Sequence, residues 1–179
     1  MSAAERKRAT REDLAAAASS DMPIRIVPYD PAWPRSYEAE RKRIGPLMAG
    51  SVLHHIGSTA VPGLAAKPII DIAVLLDSFQ PAINRLVRHA GYQYPPAFNA
   101  TLSRQRFLCY PTPTRRTHHL HLTDDPAQLE SYLRFRDRLR ASPELARRYE
   151  ALKRTLAAQH PTDRDAYTHA KSTFITDHT

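Results

Sequence analysis

His55-Ile-Gly-Ser-Thr-Ala-Val-Pro-Gly-Leu-Ala-Ala-Lys-Pro-Ile-Ile-Asp71 is the stretch from which the fold is read. It holds two of the chain's five glycines, a Ser-Thr pair, a lysine and an aspartate embedded in apolar residues. Gly57 and Gly63 allow backbone shapes that turn amides toward an anion. Ser58 and Thr59 add hydroxyl donors, and Lys67 adds a mobile positive charge. From Pro68 to Leu76 the chain reads as a buried strand carrying one carboxylate, Asp71. A buried carboxylate is costly unless hydrogen-bonded, paired or bound to a metal. A phosphate-holding loop feeding a strand with a metal-holding aspartate accounts for every one of these residues. The competing reading is an ordinary Gly/Ser/Pro loop with a strand aspartate tied to an arginine. The spacing matches neither the Walker-type nor the dinucleotide glycine pattern.

A second stretch, Thr117-His-His-Leu-His-Leu-Thr123, reads as a strand. Alternation puts His119 and His121 on one face with Thr117 and Thr123, and Leu120 and Leu122 on the other. Two imidazoles at this spacing can chelate one metal or contact one phosphate. They are equally the polar stripe of an amphipathic strand. His55, at the end of a strand entering the Gly-Ser loop, is expected to join Asp71, His119 and His121 if the three strands are neighbours. His54 is expected to point the other way, and His118 is given no role.

The remaining elements follow from turn and cap residues. Residues 24–28 read as a short edge strand, Asp30 and Pro31 open a helix ending near Ile44, and Ser51–Ile56 is a strand. A helix runs from Asp77 to about His89, stopped by Gly91. Residues 92–96 suggest an edge strand. Strands over Gln105–Tyr110 and Arg116–Leu122 form a hairpin around Pro111-Thr-Pro-Thr. Helices are expected at about 126–141, 143–159 and 164–175. The expected fold class is α+β: a mixed sheet flanked by helices, with a helical C-terminal part.

A length of 179 residues suits one domain, expected over 23–179, preceded by a flexible tail over 1–22. No apolar run reaches the ~20 residues of a membrane span. The first residues lack a secretory or transit pattern, so a cytoplasmic protein without membrane partners is expected. Its single cysteine, Cys109, excludes an internal disulfide and reads as core. The net charge of +8 favours anionic partners. Because Arg134-Phe-Arg-Asp-Arg-Leu-Arg140 interleaves signs, and no nucleic-acid motif appears, the expected partner is a nucleotide or phosphorylated small molecule, not nucleic acid. Oligomeric state leaves no mark on the sequence.

The long Gly-Ser stretch, extended to Ile72, resembles the signature of the GrpB-like family (UPF0157), placed in the nucleotidyltransferase superfamily. The similarity extends to Val27-Pro-Tyr-Asp-Pro-Ala-Trp33, Thr117-His-His-Leu-His121, Phe135-Arg-Asp137 and Tyr167-Thr-His-Ala-Lys-Ser-Thr-Phe-Ile175, covering about residues 23–177. The resemblance implies a nucleotidyltransferase-like core in which a Gly-Ser turn, here Gly57 and Ser58, holds nucleotide phosphates. It also implies a strand giving two alternating carboxylates to a divalent metal. Asp71 matches the first, whereas the second position is Ala73. Mg²⁺ or Mn²⁺ is the cofactor such a transferase implies. The histidines admit Zn, Fe or Ni instead.

The leading expectation is therefore a nucleotidyltransferase-type enzyme acting on a small acceptor. Asp71 and Lys67 would be catalytic, and Asp71, His119, His121 and His55 metal-binding. Gly57, Ser58, Thr59, Lys67, Tyr167 and Lys171 would hold the nucleotide. The alternatives are a nucleotide- or phosphometabolite-binding protein without transfer, and a His/Asp metal-dependent hydrolase.

Overall fold

The computed structural model describes residues 23–179, so the expected tail over 1–22 lies outside the described residues. Four strands form one sheet: β1 (Leu53–Ile56), β2 (Ile70–Leu75), β3 (Gln105–Pro111) and β4 (Arg116–Thr123). Their order is β1-β2-β4-β3, with β2 and β4 parallel and both outer pairs antiparallel. The helices are α1 (Trp33–Ile44), α2 (Phe79–Ala90), the single turn α3 (Pro96–Asn99), α4 (Pro126–Ala141), α5 (Pro143–Gln159), α6 (Arg164–Ala170) and α7 (Ser172–Thr176).

Strand alternation sorts the sheet into two faces. Ile70, Ile72 and Val74 of β2 join Leu53, Leu108, Leu120 and Leu122 in the main core, closed by Trp33 and Ile44 of α1 and Ile83 and Leu86 of α2. The opposite face carries Asp71, His119 and His121. It is roofed by α4, whose Phe135 and Leu139 pack with Tyr149 of α5 against Val61 and Leu64 of the loop after β1. The expected mixed sheet with helices on its faces is thus the observed architecture.

Local chemistry sets the helix starts. Asp125, Ser142 and Asp163 cap α4, α5 and α6, accepting from the amides of Ala127, Leu145 and Ala166. Three expectations differ in detail. Residues 24–28 make only a Val27–Ala66 bridge, and residues 92–96 only a Gln93–Cys109 bridge followed by α3. Prolines at 28, 95 and 96 remove the ladder donors a longer strand needs. The last helix breaks at Lys171 into α6 and α7.

Candidate active site

Register brings the site together. Asp71 of β2 lies opposite His119 of β4, and Ala73 opposite His121, so all four side chains share the roofed face. Nδ1 of His119 lies 3.0 Å and Nε2 of His121 3.2 Å from the same Asp71 oxygen, Oδ1. Among the described residues these three form a group whose ligand atoms all lie within 4.8 Å of one another. Around a zinc at bond lengths of about 2.1 Å and tetrahedral angles, ligand atoms sit about 3.4 Å apart, so modest spreading would seat a cation. One carboxylate with two imidazoles suits Mn, Zn, Fe or Ni better than Mg.

Hydrogen bonding keeps the carboxylate ionised. Burial alone would raise the Asp71 carboxyl, but the hydrogen bonds from His119 and His121 outweigh it and hold it well below the usual carboxylate range. Burial pushes His119 down to about 4, with Asp71 pulling the other way. The ring is therefore neutral at pH 7, as a ligand must be. Its Nε2 is buried with no hydrogen-bond partner. Phe107 of β3 presses its ring near both imidazoles, at 4.9 Å from His119 and 5.6 Å from His121. The ring of Tyr132 of α4 lies 5.9 Å from that of His121, tilted by 55°, and burial with the Asp71 charge raises its hydroxyl to about 12.

The Gly-Ser turn closes over the carboxylate because Ile56, the last residue of β1, pairs with Asp71. Gly57 follows with φ 69°, and a Cβ there would meet Asp71 Oδ2 at 2.7 Å. Glycine is thus required twice, by conformation and by contact. Ser58, Thr59 and Ala60 form a 3₁₀ turn. Arginines of α4 hold the turn's backbone: Arg136 Nη1 donates to the carbonyl of His55 at 2.9 Å, and Arg140 donates twice to that of Ala60 at 3.0 and 2.8 Å.

The lysines gather around two tyrosines. Lys67 and Lys171 place their ammonium groups 4.9 and 4.5 Å from the ring centre of Tyr167, which is 1 % exposed. Packing of α6 against Leu156 of α5 turns Tyr167 inward, and Lys171 follows onto its ring. Lys153 of α5, only 2 % exposed, donates to Ser58 Oγ at 3.0 Å and to the carbonyl of Ala65. Burial lowers Lys67 and Lys153 to about 7, helped by Lys171 in each case, and lowers Lys171 as well. None of the three has a carboxylate within salt-bridge distance among the described residues. A partly desolvated basin with three such cations attracts phosphate. Lys153 escaped the sequence reading because a lysine within a charged amphipathic helix carries no mark of burial.

Two expected residues sit elsewhere. His55 pairs with Ile72, which places it on the core face behind Asp71 rather than in the ligand group. It stacks on Tyr37 at 4.6 Å and contacts Thr59 Oγ1 through Nε2 at 3.1 Å, and burial lowers it to about 4. The antiparallel register of β1 is one residue off the assumed alignment of faces, so His54, opposite Ala73, faces the site side instead. Thr59 is 1 % exposed and donates to the carbonyl of Ile69 at 3.2 Å, so its hydroxyl serves the loop and not a ligand.

Comparison with known proteins establishes the family of the chain. A UPF0157 protein of Pseudomonas aeruginosa is 42 % identical over 88 % of this chain, and UPF0157 protein YqkA of Bacillus subtilis 35 % over 85 %. The chain spans 66 % and 45 % of those two relatives' lengths. A protein of Mycolicibacterium paratuberculosis named dephospho-CoA kinase is 30 % identical over 87 % of this chain, which covers 45 % of it. The crystal structure of GrpB from Enterococcus faecalis superposes with a TM-score of 0.74 at 36 % identity, covering 86 % of this chain and 93 % of that one. The sequence model described as GrpB protein matches residues 23–179, every described position, and the chain belongs to the GrpB family.

Proposed function

We propose that this chain is a metal-dependent nucleotidyltransferase-type enzyme that binds a nucleotide and acts on a small acceptor. The observation that carries this reading is the meeting of Asp71, His119 and His121 beside the Gly57–Ser58 turn, with Lys67, Lys153 and Lys171 around it. A cation held by the triad would supply Lewis-acid stabilisation of phosphoryl oxygens. The chain's own residues do the rest. Ser58 and the amides of its turn donate to phosphate, the three lysines offset its charge, and α4 and α5 exclude water from one side. As phosphoryl transfer asks mainly for positioning and electrostatics, this set supplies both. Nucleotide chemistry also fits the similarity to a protein named dephospho-CoA kinase.

The two-imidazole donor set favours a second reading, a His/Asp metal-dependent hydrolase of phosphorylated small molecules. Thermal melting of the metal-free chain with ATP, CTP, GTP or UTP, each with Mn²⁺ and with Mg²⁺, tests the first. At a ligand concentration 100 times Kd, linkage gives about 2.7 kcal/mol of added stability, a shift of several degrees. A shift requiring both metal and nucleotide is expected. No shift with any of the four nucleotides overturns the nucleotide reading, and tight stoichiometric Zn without nucleotide binding moves the conclusion to the hydrolase.

A further inference from the structure

The Gly57–Ser58 turn carries a closer arrangement than phosphate binding alone requires. Lys153 Nζ lies 3.0 Å from Ser58 Oγ, and a second hydrogen bond to the Ala65 carbonyl fixes it there. Tyr149, one turn before Lys153 on α5, lies under the ammonium with its ring centre at 5.0 Å. Glu150 accepts from the Ala65 amide at 3.2 Å, so α5 grips this loop through two consecutive turns. A hydroxyl, a nitrogen base within hydrogen-bond reach and an orienting third group are the parts of an activated nucleophile.

The metal-ligand group, in contrast, offers no spare carboxylate. Asp71 is its sole carboxylate and is engaged by two imidazoles through one oxygen, with Gly57 against the other. Ala73, one alternation further along β2, has no ionisable group. The nitrogen base within hydrogen-bond reach of the Ser58 hydroxyl is Lys153, at 3.0 Å. Desolvation beside Lys171 brings that amine to about 7, where half of it carries a lone pair at neutral pH.

We propose that Ser58 is a nucleophile activated by Lys153, so that nucleotidyl transfer proceeds in two steps through a nucleotidyl-Ser58 ester. This rests on the nucleotide reading above and adds the covalent step to it. In the first step Ser58 Oγ bonds to the α-phosphorus of a nucleoside triphosphate. The bond from that phosphorus to the pyrophosphate oxygen breaks, pyrophosphate leaves with the electron pair, and the Ser58 proton passes to Lys153 Nζ. In the second step an acceptor hydroxyl attacks the same phosphorus, its proton is lost to water, and Lys153 returns a proton to Ser58 as the ester bond breaks. No oxidant or reductant is needed.

The test incubates the full chain with ATP, CTP, GTP or UTP and Mn²⁺, without acceptor, quenches in acid and maps the adduct by mass spectrometry. One nucleotide should add a single nucleoside monophosphate, less water, to the peptide carrying Ser58. Ser58→Ala should abolish the adduct. Lys153→Met should slow its formation at least 100-fold, the lower range for a lost general base. Lys153→Arg discriminates base from anchor, because guanidinium keeps the charge but offers no lone pair. Failure of Arg to restore the adduct supports a base, and full rescue by Arg overturns it. Nucleotide binding without any Ser58 adduct overturns the covalent step and leaves the nucleotide reading standing. Absence of nucleotide binding removes both.

Discussion

Asp71 and Gly57 depend on each other. The carboxylate sits where a Cβ on Gly57 would be, 2.7 Å from Oδ2, and Gly57 holds φ at 69°. Gly57→Ala should therefore cost about 1–3 kcal/mol of stability, the range for a strained non-glycine backbone, and should displace the carboxylate as well. Urea unfolding gives the first effect, and loss of metal-dependent ligand binding gives the second. Asp71→Asn keeps the volume and removes the charge. It should leave the melting temperature within a few degrees and weaken Mn²⁺-dependent nucleotide binding tenfold or more by calorimetry. Unchanged binding would remove Asp71 from the site. His55 is the contrasting case, a histidine whose stacking on Tyr37 and contact with Thr59 make it a packing residue. His55→Ala should lower stability and spare metal affinity.

At the scale of elements, β4 separates two environments one residue apart. His119 and His121 face Asp71, while His118 pairs with Ile70 and Tyr110 on the other face and contacts Thr117. His119→Ala and His121→Ala should each weaken Zn²⁺ or Mn²⁺ binding tenfold or more in a titration, and His118→Ala should not. Equal effects from all three would contradict this division. α4 works differently, through Arg136 and Arg140 bonded to loop carbonyls. Because those bonds cross from helix to loop, the Phe135-Arg-Asp137 motif acts on the site without entering it.

Over the whole molecule, burial of basic groups sets the pH dependence. His55 and His119 lie near 4 in the folded chain against an ordinary value near 6.5, so between these values the unfolded chain binds more protons and stability rises with pH. Lys67 and Lys153 lie near 7 against about 10.5, which extends the same sign of slope above neutrality. The ligand-free chain should therefore melt higher at pH 9 than at pH 7, and lower at pH 5 than at pH 7. Calorimetric scans without anions in the buffer check both. A melting temperature falling from pH 7 to pH 9 would mean that the lysines keep their protons through partners in solution.

The sequence by itself determined the elements and the site's chemical inventory. Alternation in Thr117–Thr123 put His119 and His121 on one side, and Gly57-Ser58 with Asp71 marked the turn and its carboxylate. Local rules suffice there, because side-chain direction along a strand and cap chemistry at a helix start involve only neighbouring residues. Tertiary structure alone decided which faces meet. The β1–β2 register sent His55 behind the sheet, where its alternation read in isolation gives no reference face. Docking of α5 and α6 buried Lys153 and Tyr167 beside the turn, some 95 residues beyond Ser58 in the first case. Such contacts between distant segments follow from how apolar faces pack, and a charged helix carries no local sign of which lysine will lose its water.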